Sequence, residues 1–137
     1  MIILDASALT KLVVKEENSM RTIREVNEAI QMGETIASPD IALAESLNSV
    51  WKHVTLLKDI NKKEADEAAE QLFFIWNKIT KLGTEGLAQI GMEIAIGNNL
   101  PVYDSLYIAA SKSNNAPLFT FDSGMAKKAG KLGIRLL

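Results

Sequence analysis

In Met1-Ile2-Ile3-Leu4-Asp5-Ala6-Ser7 the apolar run Ile2-Ile3-Leu4 leads straight into a carboxylate. An apolar run that does not alternate predicts a short strand buried on both faces, which is how a central strand of a parallel sheet reads. Asp5 then stands at the carboxyl end of that strand, the edge at which open α/β sheets bind their ligands. A helix is predicted to begin near Ser7, with Ser7 as its cap and Leu9, Leu12 and Val13 turned inward.

A second anchor is Leu100-Pro101-Val102-Tyr103-Asp104-Ser105-Leu106-Tyr107-Ile108-Ala109-Ala110-Ser111. Pro101 suits a first helical turn, where its missing N–H costs nothing, and an acid in that turn is favoured by the helix dipole. Leu106, Ile108, Ala109 and Ala110, with Tyr103 and Tyr107 four apart, make nearly every side a packing side, so this helix is predicted to be buried. Asp104 is thus a carboxylate at the mouth of an apolar helix. Local sequence leaves open whether it is a cap or a functional group.

The intervening segments alternate between helix and strand signals. Met20 to Met32 predicts a helix with Ile23, Val26 and Ile30 inward, closed by Gly33. Thr35 to Ser38 predicts a strand that Pro39 stops, with Pro39 opening a helix from about Asp40 to Lys58. That helix carries a stripe of Leu43, Leu47, Val50 and Val54, widened by Ala44 and Trp51, while Glu45 lies off the stripe beside Ile41, Asn48 and Lys52. His53, the lone histidine, has no His or Cys near it in sequence and reads as a structural or surface residue. Asn61 and Glu64 have capping-box spacing and predict a fourth helix through Leu72, Phe73, Ile75, Trp76 and Ile79, ended by Gly83. Thr84 to Ile96 predicts a fifth helix, with Gly97-Asn98-Asn99 as its turn. Pro117 to Phe121 predicts a strand ending in Asp122. Ser123 to Lys131 follows as a short helix, and Ile134 to Leu137 as a terminal strand.

Helices alternating with short apolar strands predict an α/β domain with a parallel sheet of four or five strands, spanning residues 1–137 without repeat or linker. With 137 residues, 47% of them hydrophobic, the chain can bury a substantial core. The absence of cysteine excludes disulfides, thiolate zinc sites and a cysteine nucleophile. No basic leader or long apolar run is visible, so a soluble, cytoplasmic protein without membrane association is expected. A net charge of −2 is not the basic excess typical of a nucleic-acid binder. Setting aside four acids that can gather in one site turns the balance slightly basic.

Those four are Asp5, Glu45, Asp104 and Asp122. In a parallel sheet with right-handed crossovers, strand ends and helix starts share one edge, so the four carboxylates can converge. Like charges brought together in a partly buried pocket cannot all ionise unless something compensates them. A divalent cation would do so, and an oxygen-only donor set favours Mg²⁺ or Mn²⁺ over zinc or copper. The matching chemistry is metal-assisted attack of water on a phosphodiester.

Leu4-Asp5-Ala6-Ser7, Ser38-Pro39 with Glu45 downstream, Tyr103-Asp104-Ser105-Leu106-Tyr107-Ile108-Ala109-Ala110 and Thr120-Phe121-Asp122 together resemble the PIN-domain ribonucleases, and among them the VapC-type toxins of toxin–antitoxin pairs. The resemblance covers nearly the whole chain. It implies a three-layer α/β/α sandwich and a Mg²⁺- or Mn²⁺-dependent endonuclease cutting single-stranded or loop RNA. It further implies that Asp5, Glu45, Asp104 and Asp122 are the family's acidic quartet and its metal-ligand set, Asp5 and Asp104 foremost, with Glu45 orienting or activating water. Asp122 is either a ligand or the cap of the Ser123 helix. Ser7 and Thr120 stand where the family often has a supporting hydroxyl. A small antitoxin partner and a homodimer are implied as well. Lys11, Lys15, Lys52, Lys127 and Lys128 are candidates for phosphate contact.

Two other readings compete. A PIN-like module that binds RNA or protein without turnover would share the scaffold. A receiver-like phosphotransfer domain would carry paired acids after its first strand, whereas Asp5 stands alone.

Overall fold

A computed structural model describes all 137 residues. Ile2–Leu4 forms strand β1, with Ile3 and Leu4 fully buried, as an unbroken apolar run requires. It lies between β2 (Ile36–Pro39) and β4 (Leu118–Phe119), and β3 (Thr80–Leu82) extends the sheet beyond β2. All three pairings are parallel, with Ile3 opposite both Ala37 and Leu118. Seven helices complete the α/β/α sandwich: α1 (Ala6–Lys11), α2 (Ser19–Gln31), α3 (Ala42–Lys52), α4 (Lys62–Trp76), α5 (Thr84–Asn98), α6 (Val102–Asn114) and α7 (Ser123–Lys131). Every residue of α6 from Ser105 to Ser111 is buried, so this is the central helix that its composition predicts. No helix is long and apolar enough to cross a membrane.

Several boundaries move from their predicted places. Asp5, rather than Ser7, caps α1, accepting the Ala8 N–H at 2.8 Å. Pro39 does not open a helix; it ends β2 in register with Leu82, and Asp40 bonds instead to the backbone of Thr84 at the start of α5. The fourth helix stops at Trp76, and Thr80–Leu82 pairs with β2 as a strand. Three residues with only one apolar side chain among them carry no readable strand pattern. Pro101 sits just ahead of α6 at its cap position. The terminal segment contributes a single bridge, Leu118 to Leu136, rather than a full strand. The Asn61–Glu64 capping box forms as predicted.

Helix α3 buries a face rotated from the predicted stripe, with Val50 buried and Leu43 and Leu47 half-buried against the core as predicted. Its inward residues are Ala42, Ser46 and Val50, while Trp51 remains 52% exposed. The cause is α1, which approaches closely enough for the Ser46 hydroxyl to donate to the Ala6 carbonyl at 3.4 Å. Only small side chains allow that approach. Beyond Lys52 the helix widens into a π-helical turn over His53–Leu57. His53 is buried there, its Nδ1 2.9 Å from Asp59 and its Nε2 3.9 Å from Glu16, a structural rather than a surface role. On α2, Val26 is buried but Ile30 is 56% exposed, because Thr22 and Ala29 share the inward face.

Candidate active site

Each of the four acids stands at the carboxyl edge of the sheet for a local reason. Asp5 follows β1 directly and Asp122 follows β4 after a two-residue turn. Glu45 and Asp104 each lie in the first turn of a helix, α3 and α6, where a carboxylate complements the helix dipole.

Asp5 is the most enclosed, at 2% exposure. A buried carboxylate needs donors, and three surround it. Ser7 Oγ donates to Oδ1 at 2.7 Å and lies 2.9 Å from Oδ2, the Ala8 N–H donates to Oδ1, and the Thr120 hydroxyl donates to Oδ2. The same hydroxyls tie down the turn after β4: Ser7 Oγ accepts the Phe121 N–H at 2.9 Å, and Thr120 Oγ1 accepts the Asp122 N–H at 3.0 Å. Ser7 and Thr120 therefore hold the Asp5 carboxylate in place. Burial pushes the Asp5 carboxyl above its ordinary range, the nearby Asp122 charge adds to this, and the three donors oppose it.

Asp104 is half-buried, and its carboxyl is also pushed up, first by burial and then by the charges of Asp122 and Glu45. Glu45 accepts the phenolic hydrogen of Tyr107. Asp122 caps α7, its Oδ1 accepting the Met125 N–H at 2.7 Å. It is a helix cap and an electrostatic neighbour of both Asp5 and Asp104 at once. Asp122 and Glu45 thus lie near enough to Asp104, and Asp122 near enough to Asp5, to disfavour their ionisation.

The donor set is oxygen only, which suits a hard divalent cation. No three His, Cys, Asp or Glu side chains stand close enough to form a protein cage around an ion. A cation such as Mg²⁺ needs only one or two carboxylates and keeps several waters.

Tyr107, which pattern reading assigns only to packing, is the residue whose hydroxyl reaches an acid of the site, Glu45. The available signal is its hydroxyl, since a buried tyrosine in an apolar helix needs a partner for its O–H. Among the lysines proposed for phosphate contact, Lys11 is committed elsewhere. Its ammonium bonds the Glu17 carbonyl at 2.9 Å, pairs with Glu16 at 3.1 Å and lies 4.9 Å from the centre of the Phe121 ring. Lys128 is held by the Asn98 carbonyl at 2.7 Å. Lys15, Lys52 and Lys127 are exposed. The largest cleft, about 590 Å³, lies away from the acids, where Ile23 and Val26 of α2 face Phe74 and Ile75 of α4.

This architecture, with carboxylates gathered where β1 and β4 end, defines a known class. The chain belongs to the PIN domain family, whose sequence model matches residues 2–131. It is 30% identical over 132 residues to Ribonuclease VapC3 of Pyrobaculum aerophilum, an alignment covering 93% of each chain. Among solved structures it resembles PAE2754 from Pyrobaculum aerophilum, with a TM-score of 0.70 and 21% identity over 98% of this chain and 82% of that one. It also resembles VapBC2 from Rickettsia felis, solved bound to a DNA fragment from their promoter, with a TM-score of 0.63 and 18% identity over 100% of this chain and 98% of that one. At these identities the structural likenesses bear on the fold alone.

Proposed function

We propose that this protein is a Mg²⁺- or Mn²⁺-dependent endoribonuclease that hydrolyses phosphodiester bonds of single-stranded or loop RNA, and that it is the toxin of a toxin–antitoxin pair. The observation that carries the reading is the placement of the four acids at the carboxyl edge of the sheet, where Thr120 bridges the Asp5 carboxylate and the Asp122 N–H and Tyr107 donates to Glu45. Membership of the PIN family and the relationship to Ribonuclease VapC3 supply the substrate class. The likeness to VapBC2 motivates the paired antitoxin.

In this reading Asp5, Asp104 and Glu45 would hold the cation. It would offset charge on the phosphoryl oxygens and ease deprotonation of the attacking water. Asp5 is held by Ser7, Ala8 and Thr120, so its carboxylate is placed before any ligand arrives. Glu45 orients the water and accepts its proton. Asp122 uses one oxygen for the α7 cap, which leaves the other free for the site. Exposed Lys52 and Lys127 are the candidates for steering the RNA backbone.

The test is cleavage of a panel of single-stranded and hairpin RNAs by purified protein, with Mn²⁺ and with a chelator. Wild type is expected to cut only with metal, and Asp5→Asn is expected to be inactive. Equal activity in both proteins would remove the assignment. Reproducible RNA binding without turnover would favour the silent module instead.

A further inference from the structure

We propose that Tyr107 is a positioning residue whose phenol fixes the Glu45 carboxylate in the site; the inference rests on the reading above and assigns a residue to it. The ring of Tyr107 belongs to the main apolar core and is 1% exposed, so its hydroxyl cannot reach water as an alternative partner. Packing alone would be served equally well by phenylalanine, and an unbonded hydroxyl at this depth would cost stability. The hydroxyl instead donates to Glu45, 62 residues away in sequence and on another helix.

Glu45 gains most from this contact. Its side chain projects from the first turn of α3 on three rotatable bonds and is only half-buried. Such a chain exchanges rotamers freely unless something anchors its end. The anchor is rigid, because the phenol oxygen is placed by the core and by the buried run of α6 that begins one residue after Asp104. Tyr107 therefore couples the Glu45 position to the helix that carries Asp104. The donor also remains a donor, since burial and then the adjoining Glu45 and Asp5 charges all disfavour the phenolate.

The test compares Mn²⁺ dissociation constants, measured by titration calorimetry, for wild type, Tyr107→Phe, Glu45→Gln and the double variant. Positioning partners of metal sites typically contribute about 10-fold or more in metal affinity. Tyr107→Phe is expected to weaken Mn²⁺ binding by about that factor in the wild-type background and to have no further effect beside Glu45→Gln. An unchanged dissociation constant would overturn the proposal, as would an equal loss in both backgrounds, which is what general destabilisation produces. Wild type that binds no Mn²⁺ would remove the proposed reaction itself, a distinguishable failure. A metal-free readout accompanies these: in isotope-edited NMR the Glu45 carboxyl resonance is expected to move in Tyr107→Phe. If that variant does not fold, the wild-type phenol proton decides, through slow exchange and a cross-peak to the Glu45 side chain. A phenol proton in fast exchange with water would overturn the proposal.

Discussion

The Thr120 hydroxyl donates to the Asp5 carboxylate across 115 residues of sequence, joining the end of β4 to the end of β1 at the bottom of the site. The same oxygen accepts the Asp122 N–H, so one side chain positions two of the four acids. Thr120→Val keeps the shape and removes both bonds. A stability loss of about 1–3 kcal/mol is expected near neutral pH, as for a buried acceptor left without its donor. Chemical denaturation measures it, and the loss should shrink in acid, where Asp5 is protonated and no longer needs the donor as strongly.

Removing the Asp104 carboxylate is expected to stabilise rather than destabilise. The folded-state Asp104 carboxyl titrates above the ordinary value of 3.8 because burial and the Asp122 and Glu45 charges disfavour ionisation. Between 3.8 and that raised value the folded state holds more protons than the unfolded chain, so this group's contribution to stability declines as pH rises through the window. Without metal, Asp104→Asn is therefore expected to be at least as stable as wild type at neutral pH. Its advantage should vanish below the ordinary carboxyl range. Denaturation curves collected across pH test this, and a variant less stable than wild type at neutral pH would contradict it.

Tyr107 makes a separate prediction in alkali. Burial first, then the Glu45 bond and charge, push its phenol far above the ordinary tyrosine range. In a titration followed by tyrosinate absorbance, Tyr107→Phe is expected to remove none of the signal that native protein develops before it unfolds. Its contribution should emerge only with unfolding.

The contact between α5 and α6 rests on Gly91. A Cβ added there would lie 3.0 Å from Leu106 Cδ2, whereas one added at Gly97 on the same helix meets nothing within 4 Å. Gly91→Val is expected to destabilise by about 1–3 kcal/mol through overpacking. Gly97→Ala should be neutral or stabilise by up to about 1 kcal/mol through helix propensity. Thermal unfolding of the pair checks both signs.

Where local pattern and tertiary environment agree, the fold is legible in the sequence. The apolar run Ile2 to Leu4 could only be an interior strand, and the Asn61–Glu64 box marks the start of α4. Legibility fails where neighbours decide. Small Ala42 and Ser46, rather than large Trp51, face inward because α1 comes close. Thr80–Leu82 is a strand only because β2 offers its edge. The four acids are visible from their places after strands and in first helical turns. The bond from Tyr107 to Glu45 is not, because pairing α3 with α6 depends on packing that no local pattern records.

The central claim is that the carboxylates at the sheet edge act together as one cation site. It is tested most directly by thermal unfolding of wild type and Asp104→Asn, each with Mn²⁺ and with a chelator. Mn²⁺ at about 100 times its dissociation constant should stabilise wild type by roughly 2.7 kcal/mol, and Asp104→Asn should gain distinctly less. Equal responses of the two proteins to Mn²⁺, or no response from either, would contradict the account.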